Sequence, residues 1–199
     1  MSILSIAGVL CIDLFIAVRY TVQIRRGAIR PALAMWVLFT LAVGGSLATY
    51  LGDGRYSLWD NVLNASDLAL CAYVAAIVLR YGDHTTRFNR FDRACLVAVA
   101  VIILLWAVTR RHATANLLIQ AILVIAYFPV VQRLWRADRN TESFAAWTGL
   151  MLAPVLSLLS SKGTLATVYA VRAIVSTAAL MALMARAELR GRRRYGAGR

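Results

Sequence analysis

The sequence predicts an all-α integral membrane protein with seven transmembrane helices. Of its 199 residues, 61% are hydrophobic, and the mean hydropathy is +0.69. Apolar runs of about 20 residues, the length that a helix needs to cross the hydrocarbon core, recur along the chain with little sequence between them. Strands are excluded because the backbone groups at an open sheet edge have no partner in lipid.

These apolar runs define seven predicted spans, of which the first and the fourth are the shortest. The fourth, "ACLVAVAVIILLWAVT", carries no charge, and Thr109 is its only hydroxyl. We therefore expect it to face lipid, whereas the other spans carry most of the buried polarity. The spans are 2–18, 31–51, 57–80, 94–109, 114–135, 143–160 and 164–185.

The basic residues predict the orientation in the membrane. The first, third and fifth connections and the C-terminal tail carry 17 of the 22 basic residues, whereas the other connections carry Arg55, Arg110, Arg111 and Lys162. Basic residues are enriched in cytoplasmic loops, so we expect the N-terminus outside and the C-terminus in the cytoplasm. The net charge of +13 then reflects topology, and no nucleic-acid partner is predicted.

The tail and the arginine usage bear on location and partners. The tail ends in "RGRRRYGAGR", which serves as a topology anchor or binds anionic lipid. Arginine outnumbers lysine 21 to 1, a bias that indicates a GC-rich bacterial genome and hence the plasma (inner) membrane. The expected partners are the lipid bilayer, anionic lipid at the tail and a small-molecule solute, with a homo-oligomer left open.

Motifs of enzymes and of cofactor-binding proteins are absent from the sequence. Cys11, Cys71 and Cys95 all fall inside predicted spans, which predicts neither a disulfide framework nor a metal site. No P-loop, His-Glu-x-x-His or Gly-x-Ser-x-Gly pattern is present. Retinal would need a lysine in the last helix, but the single lysine, Lys162, precedes that helix. We expect no enzymatic activity, no cofactor and no metal.

Two segments, 19–51 and 126–159, resemble each other and predict an internal duplication. Each runs through a glutamine, a basic loop and a tryptophan near the start of the next helix, and the glutamine-to-tryptophan distance is 13 residues in one and 15 in the other. With seven spans, this predicts a 3+1+3 arrangement of parallel repeats. The expected units are a first three-helix repeat (1–80), a linker with helix 4 (81–112), a second three-helix repeat (113–185) and a basic cytoplasmic tail (186–199).

The second of these segments carries a recognisable pattern. Pro129 stands near the end of one helix, the polar loop "RADRNTE" follows, and Ser143 and Trp147 open the next helix. In these features the segment resembles a repeat of the PQ-loop family, which includes the SWEET sugar facilitators and lysosomal amino-acid exporters. The name-giving Pro-Gln dipeptide is Pro129-Val130 here. The resemblance implies a seven-helix transporter with the N-terminus outside.

Asp13, Asp67 and Arg172 are ionisable residues that lie near the middle of the first, third and seventh predicted spans. A charge at the bilayer centre costs about 2.5–3.5 kcal/mol on insertion scales, so such residues usually face a partner or a wet cavity. At a rise of 1.5 Å per residue, their predicted depths agree within about 5 Å. In SWEET proteins this level of helices 3 and 7 carries asparagines that contact sugar, so the resemblance makes Asp67 and Arg172 candidate solute contacts.

Further residues are assigned by their position relative to this group. Asn64 shares a helical face with Asp67 and is expected to contact solute, while Asp13 and Asp67 form a candidate proton or cation site. An Asp67–Arg172 pair could instead be a structural clamp between the halves, because a buried pair is weak evidence for function or stability. That alternative stays open at this point.

Two tryptophans and two prolines complete the predicted site. We expect Trp36 and Trp147 to contact or gate the solute, with aromatic anchors at headgroup level as the alternative. Pro129 and Pro154 are predicted hinges, because proline removes a backbone hydrogen bond and bends a helix.

The predicted function is a membrane transporter, a facilitator or proton-coupled, for a small polar solute such as a sugar, an amino acid or a small carboxylate. Two three-helix halves would give alternating access to a midplane site. The alternative is a non-transporting PQ-loop-like membrane receptor or assembly protein. The two differ in geometry, because a transporter needs a water-accessible midplane cavity lined by both halves, whereas a receptor can pack that space shut.

Overall fold

The computed structural model describes residues 2–29, 31, 33–82, 90–136, 140 and 142–196, and the regular structure in these ranges is entirely helical. Six segments are long and apolar enough to cross a membrane, and a seventh apolar helix is shorter. The chain is thus an all-helical protein with the composition of a multi-pass membrane protein. Its elements are α1 (Ser2–Arg25), α2 (Leu33–Leu51), a 3-10 helix (Leu58–Asn61), α3 (Val62–Tyr81), α4 (Arg90–Thr109), α5 (His112–Ile125), α6 (Phe128–Arg136), α7 (Phe144–Ser157) and α8 (Thr164–Gly196).

The seventh apolar helix, which stands outside the six long segments, is α7, with 14 residues. At 1.5 Å per residue it is about 21 Å long, less than the roughly 30 Å of a hydrocarbon core. The predicted span 143–160 was too long at its end, where the helix gives way to turns and the hydroxyls of Ser160 and Ser161 donate to the Ser157 carbonyl at 3.2 and 2.8 Å. The Ser157 carbonyl accepts hydrogen bonds from the backbone amides of Ser160 and Ser161, at 2.9 and 2.8 Å.

The predicted span 114–135 is divided into α5 and α6 by a turn at Ala126 and Tyr127. The amide of Tyr127 donates to the carbonyl of Val124, three residues earlier, at 3.2 Å, which closes a tighter turn than the four-residue spacing of an α-helix. Pro129 has no amide hydrogen, so it cannot donate to the Ile125 carbonyl and the regular ladder is interrupted there. The helix break thus lies just before Pro129, whose role as a hinge stays a prediction and whose side chain lies outside the described part.

The first and last helices are longer than the spans that were predicted from the apolar runs. The helix α1 continues past residue 18 to Arg25, and α8 continues past residue 185 through the basic tail to Gly196. Arginine is a good helix former, so a change from apolar to basic composition does not end either helix. Most of the loop "RADRNTE" and residues 83–89 lie outside the described residues.

The helices pack in a regular pattern. Within the first three, α3 packs against both α1 and α2; within the last group, α8 packs against α5, α6 and α7. Contacts between these groups join α1 to α7 and α2 to α5. The remaining helix, α4, packs against α2 and α5.

Burial divides the helices into interior and peripheral ones. In α2, 67% of the apolar window is buried, whereas the corresponding share in α4 is 17%. Three residues of α4, Asp92, Cys95 and Val99, are buried. The helix α4 therefore lies at the periphery, and α2 lies at the centre, where it supplies side chains to the interior cavity.

Candidate functional site

A partly open cavity lies among five of the seven apolar helical segments. Its water-accessible volume is about 50 Å³, which is room for a few water molecules. Its walls come from α2, α3, the end of the α5 segment, α7 and α8. The lining residues are Trp36, Phe39, Val43, Asp67, Leu70, Cys71, Leu123, Tyr127, Trp147, Leu150, Ala153, Pro154, Tyr169, Arg172, Ala173 and Thr177.

A row of aromatic rings forms one wall of this cavity. The ring centroids of Trp36 and Phe39 are 6.1 Å apart, those of Phe39 and Tyr127 are 5.2 Å apart, and those of Tyr127 and Trp147 are 6.0 Å apart. Edge-to-face and tilted pairs at these distances are favourable for aromatic rings. The row thus connects α2 to α7 through the end of α5.

Asp67 supplies the negative charge of the cavity. The hydroxyl of Tyr169 on α8 donates a hydrogen bond of 2.8 Å to its Oδ2 atom. That bond links α3 to α8, but it occupies only one of the two carboxylate oxygens, and a carboxylate can accept several hydrogen bonds. Asp67 therefore retains acceptor capacity on the cavity side.

Arg172 supplies the positive charge. Its Nε donates to Gln120 Oε1 at 3.1 Å, and its guanidinium carbon lies 4.7 Å from the centre of the Tyr169 ring. Among the described residues, its two terminal nitrogens donate to no protein acceptor. A guanidinium presents its donors as a fork that matches a carboxylate or a phosphate.

Asp67 and Arg172 share the cavity without forming an ion pair, since no described oxygen of one lies within 4.0 Å of a nitrogen of the other. Tyr169 separates them, because its hydroxyl binds the carboxylate while its ring face receives the guanidinium. The direct Asp67–Arg172 clamp that the sequence left open is therefore not present in this conformation.

A buried amide and hydroxyl network extends from Arg172 across the molecule. Gln120 Nε2 donates to Ser46 Oγ at 2.8 Å, and Asn64 Nδ2 donates to the same oxygen at 3.0 Å. Asn116 Nδ2 donates to Thr49 Oγ1 at 2.9 Å and to the Ser46 carbonyl at 2.8 Å. Asn64, predicted to contact solute, belongs to this network and does not line the cavity.

Asp13 lies on α1, outside the cavity lining. It is buried, and both carboxylate oxygens lack a hydrogen-bond partner among the described residues. The neighbouring Ser66 hydroxyl donates to the Leu63 carbonyl at 3.2 Å. Burial of a polar group without a partner costs free energy, so a proton or a small cation would supply what the protein does not.

The two predicted tryptophans face the interior. Trp36 is 2% exposed and Trp147 1%, so neither is a lipid-facing anchor at headgroup level. The Trp147 indole donates to Glu142 Oε2 at 3.3 Å, whereas the Trp36 Nε1 is buried with no hydrogen-bond partner in the described part of the chain. Both rings line the cavity, as does Pro154 inside α7.

Several residues that complete the site were not predicted to belong to it. Gln120, Tyr127 and Tyr169 stand at helical spacings from other polar residues in their spans, so the sequence showed which face they share but not what they contact. Ser46 is the shared acceptor of the network. No group of three or more metal-binding side chains occurs among the described residues.

Comparison of the chain with protein-family models, with curated proteins and with solved structures finds no match in any of the three. The resemblance of residues 126–159 to a PQ-loop repeat therefore stays a hypothesis that depends on its own few residues. The function has to be inferred from the cavity, its charges and the helix packing around it.

Proposed function

We propose that this chain is a membrane transporter, a facilitator or a proton-coupled carrier, that moves a small polar solute by alternating access. The observation that carries the proposal is the cavity, which holds Asp67 and Arg172 unpaired and is lined by helices from both groups of three. Opposite charges in a membrane interior are costly and are usually retained for a substrate or ion pathway.

The helix packing supports two related halves. In the first, α3 packs against α1 and α2, and in the second α8 packs against α5, α6 and α7. If α1 corresponds to the α5–α6 segment and α2 to α7, the α1–α7 contact in one half is equivalent to the α2–α5 contact in the other. Together with a peripheral α4, this is the pattern expected for a 3+1+3 transporter whose parallel repeats surround an axis along the membrane normal.

Corresponding positions in the two halves line the cavity. Trp36 is the fourth residue of α2 and Trp147 the fourth of α7. Asp67 is the tenth residue of the segment Leu58–Tyr81, and Arg172 is the ninth of α8. A duplicated scaffold with opposite charges at related positions would place a binding site on the axis between its halves.

The charges favour a solute with a carboxylate, or with both a carboxylate and an amine. The free nitrogens of Arg172 suit a carboxylate, and the remaining acceptor capacity of Asp67 suits an ammonium or a hydroxyl group. A neutral sugar would leave the guanidinium fork without an anionic partner. Of the three predicted solute classes, an amino acid or a small carboxylate is therefore favoured over a sugar.

Asp13 extends the proposal to coupling. Its buried, partnerless carboxylate stands on α1, which packs against the helix that carries Asp67. A proton carried by this pair of acids would neutralise one of them during the transport cycle. Orientation follows from the arginines, which favour the N-terminus outside and the C-terminus in the cytoplasm.

A thermal-shift screen of the purified protein in detergent tests the proposal. The panel contains sugars, amino acids, small carboxylates and nucleosides at two pH values, and the variants are Asp67→Asn and Arg172→Gln. Asp53→Asn and Arg55→Gln make the same chemical changes at an exposed ion pair and serve as matched controls. A hit is then followed by uptake into proteoliposomes.

The proposal expects a solute that stabilises the unmodified protein and both controls but neither cavity variant, and that accumulates in the proteoliposomes. If no solute stabilises the protein and both cavity variants merely unfold earlier, a receptor or assembly protein is favoured. A solute that binds but is not taken up would favour a receptor.

A further inference from the structure

The end of the molecule beyond the polar network is held by bonds between two connections. One is the α2–α3 connection with its 3-10 helix, and the other is the α7–α8 connection. The two belong to different halves of the proposed transporter and occupy corresponding places in them. The arginine distribution predicts that this face lies outside the cell.

Three bonds around Lys162 join the α7–α8 connection to the α2–α3 connection and to the end of α2. Its Nζ lies 2.6 Å from Asp60 Oδ1, its backbone amide donates to the Asp60 carbonyl at 2.9 Å, and its carbonyl accepts from the Tyr50 hydroxyl at 2.8 Å. Tyr50 is fully buried at the end of α2. We refer to Tyr50, Asp60 and Lys162 as the loop latch.

Local structure holds both sides of the loop latch in place. The second oxygen of Asp60 accepts from the backbone amide and the hydroxyl of Ser57, at 2.9 and 2.8 Å. The Tyr56 ring stacks on Tyr50, with centroids 4.8 Å apart. Gly163 has a φ of +82°, and a Cβ atom there would lie 2.6 Å from the Tyr56 hydroxyl, so only glycine fits this approach.

Along α2 and the segment that carries Asp60 and Asp67, the loop latch lies about two helical turns from the cavity, toward the predicted outer face. Tyr50 follows the lining residue Val43 by seven positions on α2, and Asp60 precedes Asp67 by the same number. Seven residues of helix span about 10 Å. Between the two levels lies the network around Ser46, so a solute entering from this face would have to pass the latch first.

We propose that the loop latch is the gate of the cavity on this face, and that its three bonds must break before the cavity opens there. The inference depends on the proposed transport function and names a control point for it. The Lys162 side chain is 71% exposed and that of Asp60 15%. A pair with one solvated partner is held weakly, as a gate that opens and closes requires.

Cys71 provides a readout that does not require the solute to be known. It lines the cavity, and the other two cysteines, Cys11 and Cys95, do not. With Cys11→Ser and Cys95→Ser as the background, Cys71 is the single thiol. Its rate of modification by a membrane-impermeant methanethiosulfonate, applied to spheroplasts and to inside-out vesicles, reports which face the cavity opens to.

Lys162→Met keeps the length of the side chain and removes its charge, and Tyr50→Phe removes a hydroxyl bond with little change in volume. Each is expected to raise the modification rate of Cys71 from the spheroplast side by about three- to fivefold, the factor associated with losing one partly exposed interaction. Lys162→Arg should restore the original rate. Asp53→Asn, which breaks an exposed pair within one connection, should leave it unchanged.

The outcomes separate the gate from the transport function. Unchanged modification in Lys162→Met and Tyr50→Phe, with Cys71 still reactive from one side, would overturn the gate and leave the transporter standing. A thiol that reacts from neither side in any folded variant, but reacts after denaturation, would contradict both. An equal increase in Lys162→Arg and Lys162→Met would indicate general loosening, and thermal unfolding of each variant checks for it.

Discussion

Opposite charges are treated differently in the cavity and at the loop latch. In the cavity, Asp67 and Arg172 face the same space, yet Tyr169 keeps them apart. At the loop latch, Asp60 and Lys162 are joined at 2.6 Å. The first arrangement leaves charge available to a third group, whereas the second uses its charge to hold two connections together. Substitutions at each place should therefore have different consequences for stability and for binding.

The largest expected effect on stability is at Gln120, which connects the cavity to the buried network. Gln120→Leu removes the acceptor of Arg172 and two donated hydrogen bonds. We expect the free energy of unfolding to fall by about 2–4 kcal/mol, because buried partners, one of them charged, are left without bonds. The measurement is unfolding in a detergent series, monitored by tryptophan fluorescence.

Gln132→Leu is the matched control for this change, because Gln132 is exposed on α6. It should alter the free energy of unfolding by less than about 0.5 kcal/mol. Equal losses in the two variants would show that the network around Gln120 contributes nothing specific.

Tyr169 should give the next largest effect. Tyr169→Phe removes the hydroxyl that binds Asp67 but keeps the ring below Arg172. We expect a loss of about 0.6–1.7 kcal/mol, the range measured for side-chain hydrogen bonds between membrane helices. In a double-mutant cycle, Asp67→Asn and Tyr169→Phe should be less than additive.

Tyr73→Phe is the control for the loss of a tyrosine hydroxyl, since Tyr73 is 42% exposed and bonds to Thr21. If Tyr73→Phe lowers the free energy of unfolding as much as Tyr169→Phe does, the Tyr169–Asp67 hydrogen bond contributes no more to stability than the exposed Tyr73 bond. Strict additivity in the cycle would mean that Asp67 and Tyr169 act independently.

Replacing Asp13 should raise the free energy of unfolding, whereas the substitutions at Gln120 and Tyr169 should lower it. Asp13→Asn replaces a buried carboxylate that has no hydrogen-bond partner in the described chain with a neutral group of similar size. We expect the free energy of unfolding to rise by about 1 kcal/mol, because functional sites often retain groups that reduce stability. Proton-coupled uptake into proteoliposomes should be lost in the same variant.

The contrast between stability and uptake makes this prediction specific. A variant that is less stable and still transports would show that Asp13 is a structural residue whose partners form only in another conformation. Asp13→Leu, which is apolar and has the same number and branching of side-chain heavy atoms, should repeat the gain in stability.

The sequence predicted the helical class and a shared level for Asp67 and Arg172, which both line the cavity, because these depend on composition and on position along a helix. It left open whether Trp36 and Trp147 face the interior or the headgroups. It did not predict that Tyr169 would separate the two charges, since which rotamer fills the space between helices is decided by packing. The end of α7 was also predicted too late, because an apolar run does not show where serine side chains and carbonyls close a helix.

The smallest expected effect is at the exposed pair of Asp53 and Arg55, where the hydrogen bond to the carboxylate raises the pKa of the guanidinium above its ordinary value. Asp53→Asn should change the free energy of unfolding by less than about 0.5 kcal/mol, because exposed ion pairs contribute little. The same measurement on Lys162→Met should give a larger loss, since that pair joins two connections that are distant in the chain. If the two losses are equal even at low salt, where surface charges interact most strongly, the Asp60–Lys162 pair is an ordinary surface contact. If Lys162→Met loses more free energy of unfolding and the difference persists in high salt, the Asp60–Lys162 pair holds the two halves together.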